Sequence, residues 1–218
     1  MRASLDTNVI IHLYQADMQS ILFDVFKDGL FIYEQIRNVE LEHHGQMVIE
    51  AVDADIQAGK LELYTDEKLK EQGVYNIFES YFTDNRWLYT PKDLGEVYAI
   101  SLAQTIGAYS LVTDDIKQGG PYMSLMQLDD DVKPFTFADI LLLRYLLGIV
   151  DAHQTIADFN VINERSNLNW AFKSQFARFF RRFVAEPYKE EERIWFSQWT
   201  SENGIKVQTK FKELKELL

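Results

Sequence analysis

Several acidic residues stand at positions where a carboxylate could do chemistry. Asp6 directly follows the apolar stretch RASL, and Asp114 and Asp115 follow the stretch YSLV. If both stretches are parallel strands, their carboxyl ends lie at the sheet edge where α/β proteins bind ligands. Two ordinary interpretations stay open at this point. Asp6 or Thr7 could cap the next helix, and TDD could form a solvated turn.

The helix predicted after the stretch LFIY carries a carboxylate on its apolar face. At about 100° per residue, Glu40 falls on that face and Glu42 points away from it. The other residues of the face are Ile36, Val39, His43 and Met47. A carboxylate on a buried face is unfavourable unless it is paired or binds a metal, although a long side chain can also reach water. Glu40 is therefore a candidate ligand, whereas we expect Glu42 in solvent.

Glu96 repeats this pattern in the stretch DLGEVYAISLAQTIG. It shares a predicted helix face with Ile100 and Ala103. It also lies in the first turn of its helix, where the helix dipole stabilises a carboxylate without any ligand. The functional and the structural interpretation of Glu96 are both open on this pattern alone.

Asp6, Glu40, Glu96 and Asp115 form a set that the predicted fold could bring together. Gathered carboxylates repel one another, so the set implies a hard cation with oxygen ligands, and Mg²⁺ or Mn²⁺ fits best. The sequence has no cysteine and no HExxH motif, and the pair His43–His44 has no second ligand pair. A zinc site is therefore not expected.

The motifs SLDTNVI, IRNVEL, LGEVYAISLA and LVTDDI, in this order, resemble the PIN-domain ribonuclease family. The matching positions are Asp6 with Thr7, Glu40, Glu96, and Thr113 with Asp115. The resemblance covers roughly residues 1–147 and implies an α/β sandwich with an acidic metal cluster. Two departures stand out. The stretch YEQ replaces the small residue or proline that often precedes the second helix, and TDD also offers Asp114 as the ligand, although the family's spacing favours Asp115.

This resemblance implies a Mg²⁺- or Mn²⁺-dependent endoribonuclease. Asp6 would be the central bridging ligand of two metal ions about 3.5–4 Å apart. Glu40, Glu96 and Asp115 would complete the site, and Thr7 and Thr113 would orient the carboxylates. The RNA substrate, a toxin-like or RNA-processing role, an antitoxin-like inhibitor and a homodimer come only from the resemblance. The competing hypotheses are a catalytically silent PIN-like scaffold module and a structure-specific DNA nuclease.

Short apolar runs alternate with helical patterns over the first two thirds of the chain. The runs RASL, LFIY, LELY, YSLV and KPFTF predict five strands, and the alternation predicts a mostly parallel sheet between helices. We therefore expect a PIN-like α/β/α sandwich over residues 1–147. Residues 148–218 show only helical patterns and are predicted to form a C-terminal extension packed on the sandwich.

Charge is distributed unevenly along the 218 residues, whose net charge is −12. Residues 1–164 hold 27 acidic and 11 basic residues, whereas residues 165–218 hold 7 acidic and 11 basic ones. In the second segment, a predicted amphipathic helix has aromatic residues on one face and cations on the other. The basic face could track RNA phosphates or simply be solvated, and the acidic body disfavours a membrane surface as its partner. Its cations are Lys173, Arg178, Arg181 and Arg182.

The sequence also bears on the location of the protein. It contains no run of eighteen apolar residues, and its N-terminal residues lack the order of a signal peptide. The absence of cysteine excludes a disulfide framework. We therefore expect a cytoplasmic protein without a membrane partner.

Overall fold

The computed structural model describes residues 1–87, 94–117, 119–127, 131–186 and 189–218. These residues form two compact units, Met1–Phe137 and Ala138–Leu218. The boundary that the sequence predicted, after Leu147, falls within the second unit. Within the described residues, no helix combines the length and the apolar character that a membrane span requires.

The first unit contains a five-stranded sheet in the order β3-β2-β1-β4-β5. All the neighbouring strands run parallel. The strands are β1 (Arg2–Leu5), β2 (Gly29–Tyr33), β3 (Glu62–Tyr64), β4 (Ser110–Val112) and β5 (Lys133–Phe135). Each of them lies within a run that the sequence predicted as a strand or extends it by one residue. The predicted α/β class with a parallel sheet flanked by helices is therefore confirmed.

Strand β1 lies at the centre of the sheet, and its position decides where the site can form. Ser4 pairs with Phe31 of β2 on one side and with Leu111 of β4 on the other. Ala3, Leu5 and Leu111 have no exposed surface. Strands of a parallel sheet are covered on both faces, so they are apolar at successive positions rather than at alternate ones. The residues that directly follow β1 and β4 therefore start from a rigid, buried base.

Helices of the first unit connect these strands. Helices α1 and α2 follow β1, helices α3 and α4 follow β2, and helices α5, α6 and α7 follow β3. Helix α8 lies between β4 and β5. Their bounds are α1 (Thr7–Gln15), α2 (Ser20–Val25), α3 (Leu41–His44), α4 (Ile49–Gln57), α5 (Asp66–Glu71), α6 (Tyr75–Arg86), α7 (Leu94–Ile106) and α8 (Pro121–Gln127).

The chain after β2 differs from the single long helix that the sequence predicted. A π-helical turn spans Ile36–Glu40, α3 follows it, and a 3₁₀ turn at Gln46–Val48 precedes α4. At Gly45, a Cβ atom would lie 2.9 Å from Leu41 Cδ2 and 3.0 Å from Ile11 Cγ1, so a larger residue at the end of α3 would require these side chains to shift.

These interruptions make the predicted apolar face wrong. Val39 and Met47 are 37% and 70% exposed, whereas Leu41 and Val48 are buried. The physical reason is that a π turn holds more residues than an α turn, which rotates every later side chain around the helix axis. Glu40 still points inward and is half-buried, and Glu42 is exposed, as predicted.

The second unit is helical, as the sequence predicted for nearly all of it. Its core is aromatic, and the ring of Phe179 lies 4.7 Å from that of Phe183, 5.8 Å from that of Phe196 and 6.2 Å from that of Phe211. Its helices are α9 (Phe137–Leu146), whose first residue belongs to the first unit, α10 (Ala152–Arg165), α11 (Phe172–Phe180), α12 (Glu190–Glu202) and α13 (Val207–Glu216).

One cation of the predicted basic face is instead part of this core. Arg182 is 1% exposed, and its Nε donates to Glu192 Oε2 at 2.8 Å while its Nη2 donates to Oε1. The prediction that Arg182 faces nucleic acid is therefore wrong. A π-helical turn at Arg181–Ala185 continues α11 and changes the direction of the side chains after Phe180.

The buried pair gives a prediction about stability. Arg182→Gln should lower the free energy of unfolding by about 3 kcal/mol, because it leaves the Glu192 carboxylate buried without its cation. Urea denaturation measures this change. Arg193→Gln is the matched control, since Arg193 forms an exposed pair with Glu190, and it should cost less than about 0.5 kcal/mol. Equal losses in the two variants would contradict the burial of Arg182.

Candidate functional site

Asp6 lies at the carboxyl end of the central strand and is 1% exposed. Its backbone N–H donates to the Val112 carbonyl at 3.0 Å, which extends the pairing of β1 with β4. Its Oδ1 accepts a hydrogen bond from Thr7 N at 2.7 Å, so Asp6 does cap helix α1. Its Oδ2 accepts from Thr113 Oγ1 at 2.8 Å. Capping therefore uses one oxygen only, and the other points toward the end of β4.

Two threonines link Asp6 to other acids. Thr113 Oγ1 donates to Asp6 and also accepts from the backbone N–H of Asp115 at 3.2 Å. Thr7 Oγ1 donates to Glu40 Oε2 at 3.3 Å. These are the two threonines that the sequence predicted to orient carboxylates. They bring the loop after β4 and the π turn after β2 to the same end of the sheet.

The electrostatics of Asp6 reflect this arrangement. Burial raises the pKa of Asp6 from 3.8 to about 7, against the lowering effect of the hydrogen bonds from Thr113 and Thr7. The negative charges of Glu40 and Asp115 contribute smaller upward shifts to this pKa, which are part of the same rise. Asp6, Glu40 and Asp115 are thus close enough for their charges to interact, and they form what we call the acidic site.

Two glycines allow the other carboxylates of the acidic site to approach the backbone. A Cβ atom on Gly95 would lie 2.9 Å from Glu40 Cδ and Oε2, and one on Gly120 would lie 2.6 Å from Asp115 Oδ1. Any larger residue would displace the carboxylate or shift the backbone. The sequence analysis identified neither glycine as part of the site, although Gly95 lies in the motif LGEVYAISLA.

Asp114 and Asp115 have different partners, which separates the two candidates that the sequence left open. Asp114 Oδ2 lies 2.7 Å from His12 Nδ1, and its Oδ1 accepts from Phe137 N at 2.9 Å, so both of its oxygens are engaged. Both oxygens of Asp115 are also engaged, since Oδ1 accepts from Lys117 N at 3.2 Å and Oδ2 lies 2.6 Å from Lys117 Nζ, but both partners belong to one exposed residue. The charge of Asp115 also interacts with that of Asp6. The arrangement favours Asp115 over Asp114 as a ligand. His12 could not be identified from the sequence, since its partner lies about a hundred residues away.

Glu96 is 8% exposed in the first turn of α7. Its neighbour Gly95 packs against the Glu40 carboxylate, so the start of α7 borders the acidic site. The position of Glu96 suits a residue that supports this site, and it also agrees with a favourable interaction between the carboxylate and the helix dipole.

The donor atoms of the acidic site suit a hard cation, but they are not assembled around one point. Within the described ranges, no group of three or more acidic or histidine side chains is placed to hold one metal ion. All the candidate ligands are carboxylate oxygens, the donors that Mg²⁺ and Mn²⁺ prefer. A divalent cation would also relieve the repulsion that Glu40 and Asp115 exert on Asp6. The chemistry of these residues therefore fits the predicted metals.

The remaining cations predicted to bind nucleic acid lie in the second unit. Lys173 and Arg181 are exposed. Arg178 is half-buried, and its Nη2 lies 3.6 Å from Asp139 Oδ1. Since Arg182 is buried and Arg178 is half-buried, Lys173 and Arg181 are the two cations of this predicted face that are exposed.

Comparisons with protein families, curated proteins and solved structures found no match to this chain. The resemblance to PIN-domain ribonucleases therefore rests on the order of the motifs alone. The fold and the site define a class by themselves: an α/β protein with a parallel sheet and a buried carboxylate at the end of its central strand.

The raised pKa of Asp6 gives a prediction about pH. A folded-state pKa of about 7 above an ordinary value of 3.8 means that the metal-free protein loses stability as pH rises between these values. Asp6→Asn removes this loss and still caps α1, because asparagine caps about as well as aspartate. In EDTA, the variant should be more stable than the wild type by roughly 4 kcal/mol near pH 8, and this gain should vanish near pH 4.

Thermal or urea unfolding across this pH range measures the difference. Glu50→Gln is the control, since it removes one charge at an exposed position of α4 and should leave the pH profile unchanged. A gain for Asp6→Asn that is constant with pH would show that Asp6 is ionised at no energetic cost.

Proposed function

We propose that this protein is a Mg²⁺- or Mn²⁺-dependent nuclease that hydrolyses RNA phosphodiester bonds within the unit Met1–Phe137. The observation that carries the proposal is the buried Asp6 carboxylate, whose pKa is raised by burial and by the charges of Glu40 and Asp115. A buried carboxylate beside two others that repel it is unfavourable for the fold alone. Such a set is expected where a bound cation compensates for it.

The acidic site would supply the ligands and their orientation. Asp6, Glu40 and Asp115 would hold the cations, and Glu96 would contribute from the start of α7. When bound, such ions activate water and stabilise the leaving oxygen of a phosphodiester. Thr113 and Thr7 would keep the oxygens of Asp6 and Glu40 turned toward the site through the hydrogen bonds they already donate. Asp115 would exchange its pairing with Lys117 for the cation.

RNA as the substrate and a PIN-like fold as the framework are supported by the motif order, which runs from SLDTNVI to LVTDDI. Metal-assisted hydrolysis needs no histidine base. The sequence agrees with this, since it contains only four histidines, and one of them, His12, contacts Asp114. A cytoplasmic location is part of the same proposal, and the absence of cysteine agrees with a reducing compartment.

A second candidate function is a catalytically silent binding module with the same fold. The observation that favours it is the ion pair of Asp115 with Lys117, which satisfies one acid of the site by a side chain rather than a metal. The two functions differ in one property. A silent module gains no stability from Mn²⁺, whereas a nuclease does.

The proposal gives a prediction about two neighbouring glutamates. Glu40→Gln should lower Mn²⁺-dependent cleavage of a labelled RNA by at least about 100-fold, because it removes a charged oxygen ligand. Glu42→Gln should leave the rate within about twofold, since the Glu42 side chain is 59% exposed and lies 3.6 Å from Arg37. The rate constants come from gel-resolved cleavage under single-turnover conditions.

The same assay includes two controls. A reaction in EDTA should show no cleavage, and DNA of the same sequence should be cut more slowly than RNA. Comparable losses in Glu40→Gln and Glu42→Gln, or cleavage that persists in EDTA, would overturn the proposed site. Faster cleavage of DNA would instead favour the DNA nuclease that the sequence left open.

A further inference from the structure

A groove in the second unit combines an apolar floor with a cationic rim, and none of its lining residues belongs to the acidic site. Helices α11 and α13 form it, with a volume of about 580 Å³. Its floor includes Phe176, Phe180 and Phe211. The rings of Phe176 and Phe180 lie 5.5 and 5.6 Å from the ring of Phe211 and pack edge to face against it. The floor is therefore held in place by the aromatic core beneath it.

The rim of this cationic groove carries four basic side chains: Lys173, Arg181, Lys212 and Lys215. All four residues are exposed. Among the described residues that line the groove, none is acidic. Lys212 approaches Glu216 only at 4.0 Å, with side chains 80% and 67% exposed, so that pair neutralises little of the charge. The groove thus gathers positive charge in a chain whose net charge is −12.

We propose that the cationic groove binds an acidic amphipathic helix of a partner protein. Such a helix would insert its apolar side chains between α11 and α13, as amphipathic helices do in other hydrophobic grooves. Its acidic residues would lie beside the four cations of the rim. Both features are required, because the floor recognises the apolar face and the rim selects the sign of the charge.

The composition of the groove favours a helix over nucleic acid. A surface that tracks phosphates gains its affinity from cations alone and needs no apolar floor. Base stacking needs aromatic faces that are open to solvent, whereas two of the three floor rings, Phe176 and Phe211, are 9% and 4% exposed and contact each other. Aliphatic side chains, in contrast, can fill the space above such rings from any direction.

The test uses a fluorescein-labelled model helix of about 16 residues. Leucine occupies the positions i, i+3, i+4 and i+7 of the helix, and glutamate occupies the other positions. Fluorescence anisotropy with the full chain measures its affinity. The control peptide has the same composition in a scrambled order without an apolar face, and it should bind at least about tenfold more weakly. Raising the salt concentration should weaken the binding of the model helix, since the rim is exposed.

Charge-reversal variants test the surface itself. Lys173→Glu combined with Lys212→Glu should weaken binding of the model helix by at least about tenfold, because two attractions become repulsions. Arg165→Glu combined with Lys206→Glu changes the net charge equally at exposed positions outside the groove, and binding should stay within about twofold. Circular dichroism of both variants shows whether the fold is retained.

Four results would overturn the proposal. They are equal binding of the scrambled peptide, equal losses in the two double variants, and tighter binding of a labelled single-stranded RNA than of the model helix. The fourth combines two observations: the wild-type chain forms a dimer that the Lys173→Glu, Lys212→Glu variant does not form, and the model helix does not bind the wild type. That last result would assign the groove to a second copy.

Discussion

The structure depends on one constraint, which is that a carboxylate is buried where the central strand ends. Asp6 follows β1, and β1 is paired on both sides, so the backbone of Asp6 cannot move away from the sheet. Burying a charge is unfavourable unless hydrogen bonds or opposite charges compensate. Hydrogen bonds from Thr7 and Thr113 compensate in part, and the raised pKa shows that a deficit remains.

The surroundings of Asp6 follow from this constraint. Thr113 directly follows β4 and reaches across to Asp6, which brings Asp115 to the same end of the sheet. The π turn before α3 turns Glu40 toward Thr7, and Gly95 leaves room for its carboxylate. Glu40 and Asp115 add negative charge around Asp6, and Lys117 offsets only part of the charge of Asp115. A site that binds cations accounts for this pattern better than a fold that only needs a helix cap.

The sequence predicted the strands well and the helix faces less well, for physical reasons. Short runs such as LFIY and YSLV are apolar at successive positions because buried parallel strands are covered on both faces. Two of the errors in side-chain direction, at Val39 and at Arg182, lie in π-helical turns, and a third, at Met47, lies in the 3₁₀ turn before α4. A helical wheel assumes one angle per residue, and a π turn breaks that assumption without a signal in the residue types.

The acidic site was predictable in part. Asp6, Glu40 and Asp115 were identified from their positions after strands and on a helix face, and the structure places their charges within reach of one another. The role of Asp114 could not be predicted, because His12 and the Phe137 backbone come close only in the folded chain. The preference for glycine at positions 95 and 120 could not be predicted either. It arises at Gly95 from Glu40, which is distant in sequence, and at Gly120 from Asp115, which approaches from the loop after β4.

Direct metal binding tests the central claim most sharply. Titration of Mn²⁺ into the metal-free protein, followed by electron paramagnetic resonance of the free ion, measures the sites in the wild type and in Asp6→Asn. The account predicts saturable binding to the wild type and a loss of affinity of at least about tenfold in the variant, with its fold intact. Equal binding by both proteins, or none by either, would contradict the claim that the buried carboxylate at the end of β1 exists to hold a cation.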